Sequence, residues 1–229
     1  MKRIIMIIIA AMFVIIMGGI IYFDFIDFKP AYANVLKYST IVLSFITAAF
    51  LWKDSFNRKD GTILLLGMFC TVITDIYMIF VPAPLFVIGM MLYGQTMCVY
   101  FFRYQKAKYA IILPFFIYIP LILFYSLKVD LMTSAAVFYA QVLITNIVSI
   151  VQCIKKGKYP RINAILIVAS LIIFLMGDIT VVLRNFPLFN IRLASKFIWL
   201  FYTPSQALLA FSANDFAKDK ERRLIKIQS

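Results

Sequence analysis

The sequence predicts an all-α, polytopic transmembrane helical bundle of about eight spans, and three observations predict it. The chain has 229 residues, 64% of them hydrophobic and only 14% charged, where a soluble domain carries about 45–50% and about 25%. Its mean hydropathy of +0.95 leaves too little polar surface to cover a water-soluble globule. The apolar stretches run unbroken for about 17–24 residues, the length a helix needs to cross a bilayer. They lack the short alternating segments of a membrane barrel. Lipid requires every backbone amide to be satisfied internally, which a helix does by itself.

The first span, Ile4–Phe23, follows Lys2 and Arg3. It is longer than the about 7–15 apolar residues of a signal peptide, and no small-x-small cleavage site follows, so it is read as retained. Next come Ala33–Trp52 and, after Gly61, Thr62–Val81. The Pro82/Pro84 pair separates these from Pro84–Phe102, which is followed by Tyr109–Leu127 and Leu131–Ile154. Gly157 and Pro160 precede Ile162–Leu183, and Pro187 precedes the last span, Phe197–Ala213. Residues 1–213 thus form one transmembrane bundle. Residues 214–229 mix charges with Phe216, Leu224, Ile225 and Ile227, and read either as a basic amphipathic tail on the anionic inner leaflet or as a solvated tail.

Eight spans put both termini on one side. That side collects 17 of the 23 basic residues, while the other holds Lys29, Lys37, Lys128, Arg184, Arg192 and Lys196. The positive-inside rule makes the termini cytoplasmic, and the expected location is a bacterial cell membrane. A net charge of +13 spread over short loops in this way orients a membrane protein and does not form a nucleic-acid surface, so no nucleic-acid partner is expected. The third and seventh spans share a small-residue-Asp-Ile element (Thr74-Asp75-Ile76 and Gly177-Asp178-Ile179). The span after each contains a small residue and a glutamine (Gly94-Gln95 and Ser205-Gln206), consistent with a weak parallel 4+4 repeat.

Cys70, Cys98 and Cys153 all fall in apolar runs, where cysteine packs as a small hydrophobe. The chain contains no histidine. That removes the commonest ligand of zinc and non-haem iron centres and the usual general base. No metal or other cofactor is expected.

Eight of the ten acidic residues (Asp24, Asp27, Asp54, Asp60, Asp130, Asp215, Asp219 and Glu221) fall in predicted loops or termini. Asp75 and Asp178 alone lie deep in a span. A carboxylate in hydrocarbon costs several kcal/mol on insertion scales, so it faces a cavity or a partner and marks a functional site. The competing reading is a neutral acid bracing two helices. Both aspartates sit about 8 Å inside the same boundary at 1.5 Å rise per residue. Two carboxylates in one dry site titrate apart and divide the work of acid and base, as in glycosidases. Such a pair suits hydrolysis of an ether activated by a neighbouring double bond. Protonation of the alkene carbon gives an oxocarbenium ion, and water then yields a hemiacetal that collapses to aldehyde and alcohol.

Other polar residues are candidates to line the same cavity: Gln95, Gln141, Asn146, Tyr202, Ser205 and Gln206. Each also reads as an interhelical hydrogen bond. Pro204 singles out the stretch Tyr202–Gln206, because a proline inside a span frees backbone groups. Lys37, Arg184, Arg192 and Lys196 lie near the boundary, where they would meet a lipid phosphate or simply snorkel, the latter favoured for Arg192 and Lys196.

These residues resemble the YhhN-like, lysoplasmalogenase-type family of integral membrane proteins. The family's Gly-Asp in an early helix is matched by Thr74-Asp75, and its second small-residue-Asp with an Asn/Arg-Phe element by Gly177-Asp178 and Arg184-Asn185-Phe186. Its Tyr-x-x-x-Gln is matched by Tyr202 to Gln206, and its Lys-Pro, without the proline, by Lys37-Tyr38. In the fourth span the Gly-aromatic pattern Gly89…Tyr93 leads to Met97 where members often carry histidine, with Tyr100 as in the family. The resemblance implies hydrolysis of the vinyl-ether bond of lysoplasmalogens, releasing a fatty aldehyde and a glycerophospho-alcohol. Asp75 and Asp178 would be catalytic, with Lys37, Tyr93, Gln95, Arg184, Asn185, Tyr202 and Gln206 around a lysophospholipid substrate drawn from the bilayer. The alternatives are a small proton-coupled transporter and a non-catalytic lipid-binding membrane protein.

Overall fold

The computed structural model describes residues 2–80, 113–128, 131–183 and 191–216. Among them every regular element is helical. In chain order they are α1 (Lys2–Ile21), α2 (Pro30–Leu51), α3 (Arg58–Ile79), α4 (Leu113–Tyr125), α5 (Leu131–Lys155), α6 (Arg161–Leu183) and α7 (Ile191–Phe211). The predicted span Pro84–Phe102 lies outside the described residues, as do residues 217–229 of the tail.

Local chemistry sets the helix boundaries. Pro30 opens α2, where its missing N–H costs nothing. Asn57 caps α3 by accepting the Lys59 N–H at 2.9 Å. Gly157, at φ +64°, closes α5. The Gly157 N–H reaches the Ile154 carbonyl and the Lys158 N–H the Cys153 carbonyl, each at 2.9 Å, satisfying two end carbonyls. At α1 the structure departs from expectation. The helix does not stop but continues as a π-helical turn, Tyr22–Ile26, closed by the Asp27 N–H on the Tyr22 carbonyl at 2.9 Å.

Four of the described helices are long and apolar enough to cross a membrane: Lys2–Ile26, Pro30–Asp54, Arg58–Tyr77 and Arg161–Thr180. Ala140–Lys155 is a shorter apolar helix. The surface suits lipid. On α1 the side chains of Ile4, Ile7, Val14 and Ile15 are exposed while Ile9, Phe13 and Ile20 are buried, as expected for a helix with one protein-facing stripe. Helix α2 packs between α1, α3 and α7, and α7 packs along α6, which in turn packs on α5.

One end of the bundle is tied shut by polar contacts. Lys2 pairs with Asp54 at 3.0 Å and donates to Asn214 Oδ1 at 2.6 Å. The Asp215 N–H reaches the Asp54 carbonyl at 3.0 Å. Asn163 donates to the Ser212 and Asn214 carbonyls at 2.9 and 2.5 Å. Asp60, expected in a loop, is instead buried in the first turn of α3, accepting from Tyr159 at 2.6 Å. The start of α1 and the end of α7 therefore share an end. The core beneath it is apolar, with Leu51, Leu64, Leu143, Ile150, Ile167 and Leu171 fully buried.

Candidate active site

The intramembrane acids lie toward the opposite end. Asp75 stands four residues before the end of α3 and Asp178 five before the end of α6. The two helices both run away from the tied end, so the residues occupy similar depths.

Asp75 is buried, and its Oδ2 accepts a hydrogen bond from the Tyr202 hydroxyl of α7 at 2.8 Å. The Tyr202 ring is held by two neighbours. Phe174 of α6 lies 5.3 Å away between centroids, and Trp199 meets it edge-on at 5.2 Å. Such tilted contacts place the positive edge of one ring against the negative face of another. Asp178 follows Phe174 by one helical turn, which puts the two on one stripe of α6. Its residue surface is half-buried, but Oδ2 itself is covered and has no hydrogen-bond partner among the described residues. A buried unpaired polar atom is costly and asks for a reason. Gly177 faces α7, where a Cβ would lie at ordinary contact distance, 3.5 Å, from the Phe201 Cβ, so this crossing of α6 and α7 has room for a small side chain.

Tyr202 thus connects the two acids: it bonds Asp75 and stacks on the residue one turn from Asp178. Among the described residues no direct contact joins the carboxylates. Gln206 lies one turn further along α7, buried, with its Nε2 unpartnered among the described residues. Around Pro204, Ser205 is fully buried, donates to the Tyr202 carbonyl at 2.7 Å and receives Ser170 on its own carbonyl at 2.8 Å. Asn146 is fully buried on α5, and Gln141 donates within its own helix to the Val137 carbonyl at 3.3 Å.

Lys37 was expected at the boundary, within reach of a lipid phosphate. It is buried at 8% exposure and lies 2.7 Å from Asp24 Oδ2. The angle falls outside hydrogen-bond geometry, so the contact is an ion pair and not a directed hydrogen bond. Asp24, predicted in a loop, is only 3% exposed and sits in the π-helical turn. The signal lay in its neighbours: Phe23, Phe25 and Ile26 continue the apolar run past the acid. Lys37 also stands over the Trp199 ring, 5.7 Å from its centroid. Lys196 faces the rings of Phe25 and Phe28 at 4.9 and 5.3 Å. Tyr93, Gln95, Arg184 and Asn185 lie outside the described residues, as does the backbone at Pro187. Among the described residues no three cysteine or carboxylate side chains gather as a metal site would require.

The chain matches no family model, no curated protein and no solved structure.

Proposed function

We propose that the chain is an eight-span membrane hydrolase of the YhhN-like, lysoplasmalogenase type that cleaves the vinyl-ether bond of lysophospholipids with Asp75 and Asp178 as its acid/base pair. The observation that carries this reading is the Tyr202 hydrogen bond to buried Asp75, made from an aromatic cluster that leads in one helical turn to Asp178 and its unpartnered oxygen. A bracing carboxylate would be expected to have its oxygens satisfied.

In the proposed reaction one aspartic acid gives its proton to the alkene carbon of the vinyl ether, and the ether oxygen stabilises the resulting oxocarbenium ion. The second carboxylate takes a proton from the water that adds to the oxygen-bearing carbon, not to the one just protonated. The hemiacetal then breaks its C–O bond to the glycerol as the second aspartic acid protonates the glycerol oxygen and the hydroxyl proton passes to the first carboxylate, giving aldehyde and glycerophospho-alcohol, with one water consumed overall. Tyr202 orients Asp75. Gln206 Nε2, without a partner among the described residues, supplies a donor on the same face of α7. The proposed topology keeps both termini in the cytoplasm, as the basic-residue asymmetry suggests.

Purified protein given a vinyl-ether lysolipid should release aldehyde, and the saturated ether analogue should release none. Asp75→Asn and Asp178→Asn should each abolish release in folded protein. Full activity in either variant removes the two-carboxylate mechanism. Substrate flux across sealed vesicles without chemical turnover would establish the carrier reading instead.

A further inference from the structure

The Asp24–Lys37 pair is not accounted for by this mechanism or by stability. Taking two charges out of water costs so much that buried pairs are often no better than apolar residues of the same shape. This pair is nonetheless built with care. The chain leaves α-helical geometry for a π turn at Tyr22–Ile26, carrying Asp24 into the interior, and such turns concentrate at functional sites. Both partners are under a tenth exposed. From the ammonium a continuous series of contacts leads to the candidate active site. Lys37 lies over Trp199 at 5.7 Å, Trp199 meets Tyr202 at 5.2 Å, and Tyr202 bonds Asp75 at 2.8 Å.

We infer that Asp24 is a positioning residue of the Asp75 site: it anchors the Lys37 ammonium on the face of Trp199, and Trp199 in turn holds Tyr202 on Asp75. An ammonium on a flexible four-carbon stem needs an anchor to keep one position. A cation desolvated over an indole holds the ring more firmly than packing alone. The role of Lys37 then differs from that of a headgroup ligand, because its charge is already committed inside the protein. The functional part of this inference rests on the proposed hydrolysis, but the contacts can be tested without it.

The test reads both. Trp52 and Trp199 are the two tryptophans of the chain, and Trp52 belongs to the tied end, where it donates to Thr62. In a Trp52→Phe background, fluorescence reports Trp199 alone. Asp24→Asn and Lys37→Met should each change Trp199 emission. Asp24→Asn should lower kcat for aldehyde release about ten-fold with little change in KM, and Asp24→Glu should recover most of the loss. The neutral pair Asp24→Asn/Lys37→Met covers the case of a single variant that does not fold. It should fold, yet remain slow. The exchanged pair Asp24→Lys/Lys37→Asp should recover thermal stability but not rate, because it sets a carboxylate against the negative ring face.

Unchanged Trp199 emission in folded Asp24→Asn would overturn the inference, whether or not the chain hydrolyses lysolipid. So would an exchanged pair that recovers rate together with stability. Wild-type protein that releases no aldehyde would remove the proposed hydrolysis and leave the fluorescence result to decide whether Asp24 positions Lys37.

Discussion

Replacing Tyr202 by phenylalanine isolates one oxygen atom. The ring, with its contacts to Phe174 and Trp199, is retained, and only the 2.8 Å hydrogen bond to Asp75 is removed. Asp75 is 9% exposed, so water does not readily replace the lost donor. Leaving a buried acceptor unsatisfied costs about 1–3 kcal/mol, toward the upper end where the acceptor is charged. Asp75→Leu removes the acceptor with similar shape and leaves the phenol unsatisfied, at a similar cost. The double variant leaves no polar group stranded and should lie close to wild type. The two single variants and the double form a cycle whose coupling should be close to the sum of the two single costs, about 2–6 kcal/mol, measured by reversible unfolding in mixed micelles followed by far-UV circular dichroism. A Tyr202→Phe cost below about 0.5 kcal/mol, or a double variant whose loss equals the sum of the singles, would refute the view that this bond organises the site.

The tied end and the α6–α7 contact give independent expectations. Asn163→Ala strands the Ser212 and Asn214 carbonyls and should cost about 2–3 kcal/mol, seen as a lowered Tm and faster proteolysis of the C-terminal residues. Gly177→Ala should be tolerated, because its methyl meets Phe201 at ordinary contact distance, whereas Gly177→Leu should cost about 1–3 kcal/mol by forcing the two helices apart, with Tm as the measure. Lys37→Met alone leaves Asp24 buried without its counter-charge and should cost about 3–5 kcal/mol on unfolding in mixed micelles. The Lys29–Asp27 pair makes the contrast. The hydrogen bond and then the charge of Asp27 raise the Lys29 pKa, so the pair's contribution is present below the usual lysine range and fades as pH rises through the raised value. Lys29 is fully exposed, and Asp27→Asn should leave Tm unchanged at neutral pH.

The helical class and most boundaries were legible in the sequence because they depend on local quantities. The predicted span ending at Ile154 is observed to end at Lys155, and the one starting at Ile162 to start at Arg161, since glycine, proline and charge mark where an apolar run must end. Helix α7 starts six residues before its predicted span. Arg192 and Lys196 interrupt the apolar pattern there but do not interrupt backbone hydrogen bonding. The loop placement of Asp24 failed for a related reason. An acid ordinarily closes an apolar run, whereas a buried lysine contributed by α2 lets the helix continue through Asp24.

By itself, the sequence determined that the chain is helical, where most of the described helices fall, and that Asp75 and Asp178 are costly at their depths. Each of these follows from composition and from the spacing of residues along one strand of chain. Only the tertiary structure decided who meets whom: Tyr202 with Asp75 at a separation of 127 residues, and Lys37 with Asp24 across the turn from α1 to α2. Partner choice depends on how helices rotate and slide against one another. That is set by many small packing contacts, such as the approach of Phe201 to the small residue at 177, and no single residue announces it.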